Sequence, residues 1–286
     1  MYRVVENSKI CYNKHVINDK LGDVKMEYKN PSIALPSVPK AKKNKLPDIG
    51  TKYTEIDKAY FVFIDVLGFK DTFTNGNVKA NIRKVFEYFN LLVSKMRFLE
   101  DKESICYAGQ TSDSLYFYTD NLSYLIRFVN IFLHFNMFAM SQKVYFRGGI
   151  STGTLFVNMP HQFFGECVIK SYSLEENIAN FPRIAFDKAT RNKFKTIPDG
   201  WDFEDDVQSD RCYLNPFSKA VTKDITDDLG TIDVDLHDIN LELITDIQKK
   251  IASNKNEYEF NDKLYRKYSY LLKKCDGLIK TLKEFE

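Results

Sequence analysis

Two aspartates stand where a charge is costly to keep. Asp65 closes the apolar run Tyr60-Phe61-Val62-Phe63-Ile64 and is followed by Val66, Leu67 and Gly68. Asp113 sits in the polar turn Thr111-Ser112-Asp113-Ser114. If the first strand lies beside that hairpin, both carboxylates emerge at the same sheet edge. Two hard oxygen donors there suit one or two Mg²⁺ ions, which take few carboxylates and complete their shells with substrate phosphates. Two ions about 4 Å apart activate an attacking hydroxyl and stabilise a leaving oxygen. Gly68 allows a sharp turn that frees amide N–H groups for phosphate oxygens. An ordinary reading competes: Asp at a strand end caps a turn, and Ser-Asp-Ser is common hairpin chemistry. The pair alone leaves both open.

Other chemistries find little support. The five cysteines, at 11, 106, 167, 212 and 275, have no CxxC spacing and read as reduced thiols. His134 falls on an apolar helix and reads as a core histidine. His161 lies near the candidate site without a second His or Cys at ligand spacing. With 41 Lys and Arg against 39 Asp and Glu, the net charge of +2 calls for neither nucleic acid nor a membrane surface. No uncharged apolar run approaches the roughly 20 residues of a membrane helix, and the start has no signal-peptide pattern. A cytoplasmic protein is the expectation.

The elements that must hold the aspartates follow from pattern. Residues 1–57 contain four of the eight prolines and the basic stretch Pro39–Pro47, and read as an extended arm. From residue 58, Ala59–Phe69 reads as a buried strand. Apolar residues 82, 85, 86, 89, 92, 93 and 96 make a helical stripe. Residues 104–120 form two short strands, and 122–140 a helix apolar on most sides. Residues 143–157 form a strand, turn and strand, with bends at Gly148, Gly149 and Gly153. A third helix follows from Cys167, then the strand 182–187. This β-α-β-β-α-β-β-α-β order predicts an α/β sandwich of ferredoxin type with a mixed sheet. The catalytic region is set at 58–218. Within it, residues 199–217 read as acidic and loop-rich apart from a last strand near 211–217, and Trp201 has no evident role. The C-terminal region, 219–286, closes in two charged amphipathic helices that begin at about Asp238.

The wording around the aspartates resembles the class III nucleotidyl cyclases. Phe63-Ile64-Asp65-Val66-Leu67-Gly68-Phe69 looks like their first metal motif, and Thr111–Phe117 like the hairpin carrying the second metal Asp. Phe146-Arg147-Gly148-Gly149-Ile150 looks like their Arg-x-Gly-Ile strand, and Phe164-Gly165-Glu166-Cys167-Val168 like the start of their next helix. The version here is most similar to bacterial pyrimidine cyclases of the Pycsar anti-phage systems. The resemblance implies conversion of UTP or CTP to cyclic UMP or cyclic CMP, with two Mg²⁺ or Mn²⁺ ions per site. It implies metal ligands at Asp65, Asp113 and the Val66 carbonyl. The amides of Leu67, Gly68 and Phe69 would cradle the triphosphate, and Gln162 would read the base. It further implies a homodimer whose sites lie between protomers, and a downstream effector that reads the product.

The departures are informative. Where purine cyclases place an Asn and an Arg on the third helix, this chain has Ile169 and Ser173. Lys170, Arg147 and Arg183 are the candidates for the missing cation. A domain that binds nucleotide without turnover is the alternative function. A polymerase-like palm also uses two aspartates, but lacks a basic channel here.

Overall fold

The computed structural model describes residues 53–69, 76–159, 162–206, 211–225, 229 and 239–284, within one unit spanning Gly50–Glu286. The expected arm lies outside the described residues up to position 52. From Thr54 the chain is already in a strand.

The elements are β1 (Thr54–Val66), α1 (Gly76–Lys95), β2 (Cys106–Thr111), β3 (Ser114–Thr119), α2 (Leu122–Ser141), β4 (Phe146–Met159), β5 (Gln162–Gly165) and α3 (Glu166–Asn177). They continue with β6 (Ile184–Phe186), the single turn α4 (Lys188–Arg191), β7 (Phe203–Asp206), β8 (Arg211–Leu214), α5 (Leu241–Glu257) and α6 (Asp262–Lys283). The strands make one sheet in the order β2-β3-β1-β4-β6-β8-β7, with β5 pairing the far end of β4. The first four strands have the ferredoxin-type arrangement, with β1 between β3 and β4. All pairings are antiparallel except β4 with β6. The fold is therefore the expected α/β sandwich with a mixed sheet and C-terminal helices.

Alternation along β1 builds the two faces. Tyr60, Val62, Ile64 and Val66 join the main core with residues of α1, α2, α5 and α6. Phe61 belongs to a smaller cluster on the opposite face, with Phe63 packed at its margin. Because both faces of β1 are covered, its sequence reads as a continuous apolar run and not as an alternating one. The main core is strongly aromatic: Phe117 of β3 stacks on Phe128 of α2 with ring centroids 4.2 Å apart.

The section expected to be loop-rich supplies an additional strand, β7, paired along β8. Trp201 just before it is buried among Phe186, Phe194 and Phe203. Its indole N–H donates to Asn130 Oδ1 on α2 at 2.7 Å. A short acidic stretch hides this role, because the partners lie far away in sequence.

Candidate active site

Antiparallel register fixes Asp65 between two strands. It pairs with Ser114 of β3 on one side and Arg147 of β4 on the other. Paired residues in neighbouring strands point to the same face. All three side chains therefore meet at the end of β1, on the face that α3 covers. Ser114 Oγ donates to Asp65 Oδ1 at 3.0 Å. Asp113 is the residue before Ser114, in the turn where Ser112 adopts φ of 57°. Burial raises the Asp65 carboxyl above its ordinary range, and the negative charge of Asp113 adds to that, against the Ser114 hydrogen bond and the field of Arg147.

That repulsion tests the site for a metal. A field that raises proton affinity also favours a cation, and a divalent ion satisfies both carboxylates at once. Among the described residues no three His, Cys, Asp or Glu side chains form a cage. Asp65 and Asp113 offer hard carboxylate oxygens of the kind Mg²⁺ or Mn²⁺ takes when phosphate oxygens complete its shell.

Arg147 reveals a residue that sequence reasoning missed. Its Nε lies 2.5 Å from Glu175 Oε1, and Glu175 is only 3% exposed. Burial pushes the Glu175 carboxyl up to about 7, Arg147 opposes the shift, and the charges of Asp65, Glu176 and Asp113 add to it. An acid near a helix end normally faces water, so the Glu175-Glu176 pair gave no warning. The available signal was Arg147 followed by two glycines, which demands a closely docked helix. Gly149 meets that demand: a Cβ there would fall 2.1 Å from the Ser171 carbonyl oxygen. Ser171 donates to the Phe61 carbonyl at 2.8 Å and lies 2.9 Å from Ser151 Oγ. Glu175, one turn further along α3, is thereby set against Arg147.

Several other candidates are placed elsewhere. The Leu67 amide donates to the Tyr145 carbonyl at 2.8 Å, because the β1–β4 ladder continues past Val66. It is therefore not available to cradle a phosphate. The sharp turn expected at Gly68 is made with a φ of 71°, in the left-handed region. Phe69 packs beside the main core, and the Val66 side chain is buried in it. Lys170 pairs with Glu166 on its own helix at 2.7 Å. Arg183 lies with its guanidinium 3.4 Å from the Tyr213 ring centroid, and Phe181 and Tyr270 stand nearby. It packs between the Tyr213 ring of β8 and the Tyr270 ring of α6. Gln162 pairs with Met159 at the opposite end of β4 from Arg147. Twelve residues of strand, about 40 Å at ~3.3 Å each, separate it from the Asp65 end. His161 lies outside the described residues.

No family model matches the chain, and no curated protein matches it. Among solved structures it is similar to the catalytic core of a rhodopsin-guanylyl cyclase with converted specificity in complex with ATPalphaS, with a TM-score of 0.42, 15% identity, and coverage of 57% of this chain and 97% of that one. It is also similar to two structures of a bacterial light-regulated adenylyl cyclase. One has a TM-score of 0.37 and 15% identity, covering 69% of this chain and 57% of that one. The other has a TM-score of 0.40 and 13% identity, covering 57% of this chain and 52% of that one.

Proposed function

We propose that the chain is a cytoplasmic nucleotidyl cyclase. It converts UTP or CTP to the 3′,5′-cyclic mononucleotide and pyrophosphate, as the signal generator of an anti-phage system with a cyclic-nucleotide-binding effector downstream. The observation that carries the reading is the meeting of Asp65 and Asp113 at one sheet edge, with Asp65 held by Ser114 and faced by Arg147. The substrate's own 3′ hydroxyl gives up its proton to solvent as its oxygen bonds to the α-phosphorus, and the bond to the bridging oxygen breaks to release pyrophosphate, so no protein nucleophile is needed. Mg²⁺ or Mn²⁺ held by Asp65, Asp113 and the Val66 carbonyl would supply charge stabilisation for the entering and leaving oxygens. Ser114 fixes the orientation of the Asp65 carboxylate. Arg147, itself held by Glu175, directs positive charge at the same edge.

A homodimer follows in this reading from the distance between Gln162 and Asp65. A partner packed in the opposite direction would bring its Gln162 edge to this chain's Asp65 edge. The α3–β5 face presents exposed Ile169, Tyr172 and Phe164 for that contact, Ile169 being 70% exposed.

The test is incubation of purified protein with each of the four nucleoside triphosphates and Mn²⁺ or Mg²⁺, with chromatographic detection of cyclic product. Cyclic UMP or cyclic CMP from the wild type and none from Asp65→Ala is the expected result. A second reading, nucleotide binding without turnover, draws on the occupation of Arg147 by Glu175. Calorimetry that finds tight triphosphate binding with no product would select it.

A further inference from the structure

The end of β1 opens into a cavity of about 390 Å³, lined by Leu67, Gly68 and Arg147 from the sheet and by Lys263 and Lys267 from the first turns of α6. The C-terminal hairpin is fixed there by defined contacts. Asn254 of α5 donates to the Tyr145 hydroxyl at 2.9 Å, and the Tyr145 and Tyr268 rings meet edge to face with centroids 5.4 Å apart. Lys250 Nζ donates to the Ser141 carbonyl at 2.8 Å. The lysines are therefore held in place by the fold and do not merely drift near it. Among the described residues neither Lys263 nor Lys267 has an ion-pair partner. Lys267 is half-buried. Burial first, then the positive fields of Lys263 and Arg147, hold its ammonium below the ordinary range. Three basic groups converge on one cavity, and among the described residues only Arg147 has an ion-pair partner, so the cavity carries a positive field that suits an anion.

We propose that Lys263 and Lys267 of α6, together with Arg147, form the cradle for the terminal phosphates of the triphosphate and for the pyrophosphate that leaves. The inference rests on the cyclase reading and deepens it. It names the cation that the third helix does not supply, and it draws that cation from the C-terminal hairpin. The geometry suits the role. The cavity is lined by Leu67 and Gly68, the residues that follow the end of β1, and by Arg147, the ladder partner of Asp65, so a chain of phosphates lying across the turn would have its α-phosphorus by Asp65 and its tail among the lysines. Charge suits it too. A polyphosphate carries several negative charges in a short span, and charge-assisted hydrogen bonds from ammonium and guanidinium groups are about twice as strong as neutral ones.

The experiment titrates inorganic tripolyphosphate into the full-length chain by calorimetry, in EDTA and in Mg²⁺, and runs the triphosphate turnover assay alongside. The variants are Lys263→Gln with Lys267→Gln, and Lys267→Arg. Thermal melting confirms folding, since both side chains stand at the cavity surface. The double variant is expected to bind tripolyphosphate at least tenfold more weakly, about one decade for a lost charge-assisted contact. The KM for UTP or CTP should rise by a similar factor, and Lys267→Arg, which keeps the charge, should retain most of the wild-type binding and KM. Asp65→Asn in EDTA should bind tripolyphosphate like the wild type, since the cradle does not depend on the aspartates. A folded double variant that binds as well as the wild type overturns the inference, as does a wild type that binds no tripolyphosphate in either condition. Lysine-dependent binding with no cyclic product from any nucleotide keeps the cradle and removes the cyclase reading. Turnover indifferent to both lysines does the reverse.

Discussion

The two faces of the sheet are made from alternate residues of the same strands, yet they are built on different terms. On one face, Val62, Ile64, Leu115 and Phe117 lie wholly buried beneath four helices. On the other, Phe61, Phe63 and Asp65 are covered mainly by α3. That helix approaches closely because Gly149 and Ser151 leave it room, and it hydrogen-bonds to the sheet through Ser171. The thick face supplies most of the hydrophobic driving force. The thin face carries Asp65, Arg147 and Glu175, and ends in a surface of exposed Ile169, Tyr172 and Phe164. A carboxylate can be tolerated at the end of β1 because it sits on the side where cover is thin and a hydroxyl and a guanidinium are in reach.

The contrast is sharpest in a pair of substitutions. Phe117→Ala on the thick face should cost about 3–5 kcal/mol of stability by chemical denaturation, with turnover per folded molecule unchanged. Asp65→Ala on the thin face should cut turnover at least a thousandfold, about 4 kcal/mol of barrier. It should leave the melting temperature level or raised, because burial already opposes the charged form of Asp65. A Phe117→Ala chain that folded but lost turnover, or an Asp65→Ala chain that failed to fold, would break the comparison. Next in size is Gly149→Val, which drives a side chain into the backbone of α3 and should cost about 3 kcal/mol. Its turnover should fall as well, since α3 carries Glu175. A melting temperature within a degree of wild type would show that the helix docks more loosely than described.

The pH dependence of stability gives a smaller and more specific effect. Glu175 has its carboxyl raised to about 7, so between an unfolded value near 4.5 and that point the folded chain holds the extra proton. Stability from this group is fully present below about 4.5 and is lost as pH rises toward 7, on the order of 2–3 kcal/mol. The wild type should therefore lose ground to Glu175→Gln as melting is measured from pH 5 to pH 8, and parallel curves would remove Glu175 from its buried position. Trp201→Phe, which removes the bond to Asn130 and leaves a small gap among Phe186, Phe194 and Phe203, should cost about 2 kcal/mol on the thick face. A loss several times larger would mean that the indole holds more than Asn130 and its aromatic neighbours.

What could be read without coordinates follows the range of the interactions involved. The strand–helix order and the hairpin at Asp113 are written in local pattern and turn chemistry, and so is the sharp turn at Gly68. The α1 stripe was equally plain: Ile82, Val85, Phe86, Phe89, Leu92 and Met96 are all buried. The ring contacts of Arg183 were not legible because its aromatic partners, Tyr213 and Tyr270, are dozens of residues away, and nothing local marks a cation that packs on rings. The Leu67 amide was misjudged for a related reason. Whether a strand ladder stops at Val66 or runs one residue further depends on Tyr145. Glu175 and the α6 lysines share that cause: each is an unremarkable charged residue on a helix until the tertiary fold supplies its neighbours.

The single tryptophan of the chain stands at the cleft that Lys273, Lys274 and Gly277 of α6 share with the sheet end. Its indole is thus a built-in optical gauge of the hairpin. Emission should shift to the red when α6 lifts away, so seating of the C-terminal segment can be followed in solution without attaching a dye.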